Sequence, residues 1–175
     1  MNQNSKFITL FLLLLIVASC DQFPSDGNDY RFKDSRIIQP ITIIPFEESG
    51  KYYQNMPRDP VTILDYGLNS LFNQILMIEI QYRGGCRHHT FELLASNAII
   101  ESYPPQLKIF LGHNAFNDSC STMIHDVIFF DLEPLREKYR HKSEVKAGVI
   151  ILRLYNESDY DWSPWDRGIQ LNLWP

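Results

Sequence analysis

The sequence predicts an all-β fold: an antiparallel, immunoglobulin-like β-sandwich of about seven strands with one short crossover helix. Three observations carry that expectation. Short β signals recur at regular spacing from Val61 onward, several of them alternate apolar and polar residues strictly, and no long helical period interrupts them.

The candidate strands are residues 61–64, 74–82, 90–95, 107–111, 127–132, 149–155 and 169–174. In the second, Leu76, Ile78, Ile80 and Tyr82 fall on one face and Met77, Glu79 and Gln81 on the other, as a half-buried strand requires. Leu107, Ile109 and Leu111 alternate in the same way with Lys108 and Phe110, and Ile169, Leu171 and Leu173 with Gln170 and Asn172. The helix is placed after the fifth strand, because Pro134 suits a first helical position and Leu132, Leu135 and Tyr139 share one face. The basic run Arg136, Lys138, Arg140, His141, Lys142 on and after it is interleaved with Glu137 and Glu144. It reads as a solvated face, with contact to anionic lipid headgroups as the alternative.

Ahead of this domain, residues 20–59 read as a tether broken by Pro24, Gly27, Pro40, Pro45, Gly50 and Pro57. Its one apolar island, Ile37-Ile38 and Ile41 to Ile44, is expected at most to add a strand at a sheet edge, where proline is tolerated. Residues 60–175 form the expected domain.

Residues 1–19 have the form of an export signal. Lys6 supplies the charge, and the 12 uncharged residues from Phe7 to Ala18 are short of the roughly 20 that span a bilayer. Val17, Ala18 and Ser19 lead directly into Cys20, a pattern that resembles the lipobox of bacterial lipoproteins. That resemblance implies diacylation of the Cys20 sulfur and cleavage before it. The expected partner is therefore a lipid bilayer, and the expected location a cell membrane, facing the periplasm or the exterior. Acyl chains contribute about 0.8 kcal/mol per buried CH₂, so two or more hold a protein stably. Asp21 resembles an inner-membrane retention signal of enterobacteria.

A hydrophobic content of 45% allows a sizeable core. A net charge of −5 without a basic stripe argues against nucleic acid as a partner. The sequons at Asn117 and Asn156 matter only in a eukaryote, which the lipobox argues against.

With Cys20 given to lipid, Cys86 and Cys120 remain as an even pair. Each lies in a segment that also carries histidine: Gly84-Gly85-Cys86-Arg87-His88-His89 and His113-Asn114-Ala115-Phe116-Asn117-Asp118-Ser119-Cys120. A disulfide is favoured by the oxidising compartment, by the even count and by the loop positions, and closing such a loop stabilises by roughly 3 to 4 kcal/mol. His89 and His113 would then be buried polar residues bonded to backbone carbonyls, and Gly84 and Gly85 would supply a bulge or a φ > 0 turn. The alternative is a tetrahedral zinc site of Cys86, His89, His113 and Cys120, with His88 and His125 as spare ligands; its H-x₆-C spacing is loose for zinc. No cofactor is expected in the favoured reading.

The stretch Tyr82 to Leu93, together with Glu101 to Gln106, His113, Asp118-Ser119-Cys120 and Phe130-Asp131-Leu132-Glu133-Pro134-Leu135, resembles a family of uncharacterised bacterial lipoproteins. Its GGC-x₂-H-x-F and FDL-x-PL segments carry most of the likeness, although Arg83 stands where a small residue is expected. The resemblance implies location and a compact β domain, and brings no activity.

Motifs of the common hydrolases, zincins and nucleotide-binding proteins are missing from the sequence. A Cys86–His89 nucleophile would need a reduced thiolate outside the cytoplasm. Glu157, Asp159, Asp161 and Asp166, with Tyr160, Trp162 and Trp165, suggest a polar loop whose tryptophans cap the sandwich, or else a weak calcium loop or an aromatic patch. The expected function is a non-enzymatic, membrane-anchored binding or structural module of the cell envelope, with a protein, peptide or glycan as partner. Metal binding is the runner-up, and an unrecognised envelope hydrolase a third reading.

Overall fold

A computed structural model of the chain describes residues 37–145, 148–156 and 168–174. They form nine strands in two sheets: β1 (Ile38–Pro40), β2 (Thr42–Ile44), β3 (Thr62–Leu68), β4 (Ile75–Gly84), β5 (Thr90–Ser96), β6 (Gln106–Asn114), β7 (Thr122–Asp131), β8 (Val149–Asn156) and β9 (Ile169–Asn172). One sheet has the order β1-β7-β4-β3 and the other β2-β5-β6-β8-β9. Two short helices accompany them, α1 (Phe46–Asn55) and α2 (Glu133–Tyr139). None of the described helices is long and apolar enough to cross a membrane.

The alternation in the sequence turns directly into the core. Leu76, Ile78 and Ile80 of β4 face Leu107, Ile109 and Leu111 of β6 across the sandwich, with Ile150, Leu152, Leu171 and Leu173 completing the layer, each no more than 2% exposed. Removing one such side chain from water contributes about 1.5–3 kcal/mol, so this layer dominates the stability. The helix after β7 forms where expected and carries the chain from one sheet to the other. Its Leu132, Leu135 and Tyr139 are all buried.

Three expectations are corrected. The assigned tether is too long: residues 37–59 belong to the fold, with Ile41, Ile44 and Met56 buried. Pro40 is the last residue of the edge strand β1, as an edge position tolerates. It lies at the step between β1, paired parallel with β7, and β2, paired parallel with β5, so one segment edges both sheets. Secondly, pairing is mixed, because β6 and β8 are also parallel, separated by β7 and α2. Lastly, the basic run is split by packing: Arg136 is buried against Glu133 at 3.3 Å, and Arg140 reaches both Glu133 and the Leu173 carbonyl, which leaves Lys138, His141 and Lys142 exposed.

Candidate functional site

At one end of the sandwich two loops cross between the sheets side by side. The first leaves β4 at Gly84, opposite Thr122, and enters β5 at Thr90, opposite Asn114. The second leaves β6 after Asn114 and enters β7 at Thr122. A disulfide joins Cys86 to Cys120 across them. Gly85 turns the first loop at φ +119°, a conformation that side chains rarely adopt.

Gly84 has a different role from the turn expected of it. A Cβ there would lie 2.5 Å from Nε2 of His89 and 3.1 Å from a carboxylate oxygen of Asp118, so only glycine leaves room for these two groups to meet.

Asp118 is the residue that binds the loops together. Its Oδ2 accepts hydrogen bonds from the successive backbone N–H groups of Gly85, Cys86 and Arg87 at 2.9, 3.0 and 3.0 Å. Its Oδ1 accepts the N–H of Cys120 at 2.9 Å. Three consecutive N–H groups converging on one anion form a nest, here filled by the protein's own carboxylate. The Cys120 N–H first, then those of Cys86 and Arg87 and the His89 ring, hold this carboxyl well below the usual carboxylate range, against the burial that would raise it.

Behind the carboxylate runs a buried chain of histidines. His89 Nε2 is 3.2 Å from Asp118 Oδ2, and His89 Nδ1 is 2.8 Å from His113 Nε2. His113 Nδ1 donates to the carbonyls of Asp59 and Pro60 at 3.0 and 3.2 Å. Asp118 and the two carbonyls only accept, so His89 donates its Nε2–H to Asp118 and His113 its Nδ1–H to the carbonyls, and the bond between the rings is formed by the remaining two nitrogens. Burial pushes the His113 imidazole below its ordinary value, which favours its neutral Nδ1–H form. Phe91 stacks on His113 with centroids 4.6 Å apart, and Tyr82 packs against both rings, which seals the chain from water.

The residues singled out for a metal are therefore brought together, but in other employment. Cys86 and Cys120 are joined to each other, and every ring nitrogen of His89 and His113 has a partner. The Cys86 and Cys120 sulfurs and the Asp118 carboxylate lie within 4.8 Å of one another, yet that carboxylate already accepts four N–H groups. His88 is exposed, and His125 sits on the outer face of β7 beside Gln81. Asp118 stands beside the predicted site residues in sequence but had no role in the expectations. Its position two residues before a cysteine, opposite a Gly-Gly-Cys turn, was the available signal. Cys20 and the acidic and aromatic group at residues 157–166 lie outside the described residues.

The buried clasp presents a small exposed surface made of Arg87, His88, Phe116, Asn117 and Ser119. Phe116 and Asn117 have φ of 49° and 56°. Asparagine tolerates this left-handed region; for phenylalanine it costs about 1–2 kcal/mol. The strain is held in place by neighbours, since Ala115 N–H donates to Asp59 Oδ2, Phe116 N–H to Asn114 Oδ1, and the Arg87 guanidinium to the Phe116 carbonyl.

Fold and site together define a small β-sandwich whose inter-sheet loops are locked at one end by a disulfide and a buried carboxylate. The chain belongs to the family of the NigD-like C-terminal beta sandwich domain, which matches residues 42–160. No curated protein matches it. Among solved structures it is similar to a NigD-like immunity protein from Bacteroides caccae, at 14% identity over 75% of this chain and 58% of that one, with a TM-score of 0.47. It is also similar to a protein of unknown function from Bacteroides vulgatus, at 14% identity over 74% and 59%, with a TM-score of 0.45. A toxin-related protein from Parabacteroides distasonis shares 20% identity over 69% and 56%, with a TM-score of 0.43. The chain thus spans less than two thirds of the length of each.

Proposed function

We propose that the protein is a cell-envelope lipoprotein, anchored through acyl chains on Cys20, whose sandwich is a non-enzymatic module that binds an envelope protein through the clasped loops. The anchor is read from the lipobox-like sequence before Cys20. The binding face rests on one observation: Phe116, 45% exposed, is kept in a left-handed conformation on a loop that a disulfide and a buried anion hold rigid.

Strain of this kind persists only where the surroundings enforce it, and it is commonest at functional positions. A rigid exposed aromatic also binds at small entropic cost, because little is left to be ordered when a partner arrives. The non-enzymatic reading is supported by the site's chemistry. Asp118 accepts hydrogen bonds from the protein itself, every ring nitrogen of His89 and His113 has a partner, and the sulfurs are joined, so none of these clasp groups is free to act as a nucleophile or base.

The test is a photo-reactive phenylalanine analogue placed at position 116 in the full chain, in cells that process lipoproteins. A discrete protein adduct from position 116, absent when the analogue is moved to Tyr155, supports the reading. Equal adducts from both positions, or none, contradict it. Membrane fractionation and the mass of the N-terminal peptide test the anchor separately.

A further inference from the structure

The end of the sandwich opposite the clasp has a different character. The β3–β4 hairpin turns there: Ile75 pairs with Asp131 at the end of β7, and the Leu132 N–H donates to the Gln74 carbonyl. The β5–β6 loop and the end of β9 meet at the same place, because α2 ties them together. Tyr139 donates its hydroxyl to the Asn97 carbonyl, and Arg140 donates to the Leu173 carbonyl. β1 ends here too, running parallel to β7 with Ile38 opposite Phe129 two residues before the end of that strand.

Each of these pieces carries a large apolar side chain turned to solvent. Leu71 and Phe72 at the hairpin tip are 83% and 57% exposed, Tyr103 in the β5–β6 loop 88%, Trp174 after β9 50%, and Ile38 at the entry 52%. The hairpin tip is a built turn, in which the Asn69 side chain accepts the N–H groups of Leu71 and Phe72. A soluble surface gains nothing from exposing these residues at one end, whereas leucine and aromatic side chains are those that enter the interface of a bilayer.

We infer that this end docks on the bilayer surface, with Leu71, Phe72, Tyr103 and Trp174 entering the headgroup region, so that the clasped loops point away from the membrane. The inference rests on the lipid anchor proposed above. That anchor leaves at most about 60 Å of extended chain between Cys20 and Ile37, and the described chain begins nearer the apolar end than the clasp, Ile38 pairing with Phe129. Charge has a minor part, because exposed Lys138, His141 and Lys142 are accompanied by exposed Glu101 and Glu137. Docking therefore occurs on zwitterionic lipid and survives salt.

The test uses the full chain, processed in a lipoprotein-producing bacterium and reconstituted in phosphatidylcholine vesicles with or without bromine on the acyl chains. Leu71→Trp and Ser119→Trp are each compared with the parent, whose own tryptophans supply the background. Docking predicts that the added Leu71→Trp emission is blue-shifted and dimmed by bromine, while the Ser119→Trp emission at the opposite end is not. Red, bromine-independent emission from Leu71→Trp overturns docking, as does a blue shift without quenching, which would mean that a second copy or another protein covers this end. The mass of the Cys20 peptide from the same preparation decides the anchor independently: a diacylated peptide with no quenching removes the docking alone.

Discussion

Replacing Cys86 and Cys120 by serine together should lower the melting temperature by roughly 15 °C. The two residues are 34 apart in sequence. Opening that loop returns to the unfolded chain a conformational entropy worth roughly 3.8 kcal/mol at 25 °C on the loop-closure relation. A folded unit of roughly 120 residues unfolds with an entropy of about 0.25 kcal/mol/K, which converts the loss into that temperature shift. The assay is thermal unfolding by circular dichroism of the parent and the double variant, with and without reductant, beside thiol titration of the denatured parent. The parent should show no free thiol from Cys86 or Cys120 until reduced, and reduction should bring its melting temperature down to that of the variant. Two free thiols before reduction, with zinc bound in equal amount to protein, would refute the disulfide and revive a Cys86, His89, His113, Cys120 metal site. An unchanged melting temperature on full reduction would refute the claim that the crosslink restrains the unfolded chain.

Three further outcomes follow from the clasp. Asp118→Asn should melt below the parent at neutral pH, and the gap should narrow in acid. The folded carboxyl is held below its ordinary 3.8, so its contribution is full above that pH and is lost as pH falls through and below it. Gly84→Ala should destabilise by roughly 1–3 kcal/mol in denaturant melts, because the new methyl displaces the buried His89 ring from Asp118. His113 should remain in its neutral Nδ1–H form by ¹⁵N NMR at pH values below 6.5. The folded ring refuses a proton that the unfolded chain accepts, so its contribution is full above 6.5 and declines as pH falls below that value. The denaturant midpoints of the parent and His113→Gln should therefore converge between about pH 7.5 and about pH 5.5.

Strands whose apolar residues alternate were legible in the sequence because burial on one face leaves a period of two. Leu76, Ile78 and Ile80 announce β4, and Leu107, Ile109 and Leu111 announce β6. The first half of β7 was not legible, since Thr122, Met123, His125 and Asp126 are polar or outward-facing and only the second half reaches the core. Helix α1 was hidden for a related reason: of FEESGKYYQN only Ser49 is buried, so no apolar stripe marks it. Ile37 to Ile44 looked like tether because Pro40 and Pro45 punctuate it, and nothing local shows that the same chain can edge two sheets in turn.

The candidate site was legible in part. Cysteine parity pointed to the Cys86–Cys120 pair, and the expectation of carbonyl partners holds for His113. His89 bonds instead to His113 and Asp118, and the sequence was silent on this because a loop aspartate becomes a clasp only when three N–H groups from a distant loop converge on it. The left-handed backbone at Phe116 is likewise a tertiary product. Asn117-Asp118 suggests a turn, but nothing in the composition places a phenylalanine at positive φ.

Phe116→Gly tests the central claim most directly, because it separates what the loop does for stability from what it does for binding. Glycine relieves the about 1–2 kcal/mol of left-handed strain, offset in part by the freedom it adds to the unfolded chain, and removes a side chain that already lies partly in solvent. The melting temperature should hold or rise, while capture of the proposed envelope partner, read from a photo-reactive residue at Ser119 in the same background, should be lost. A clear fall in stability with capture unchanged would contradict the account, showing that Phe116 serves the fold and that the partner binds elsewhere.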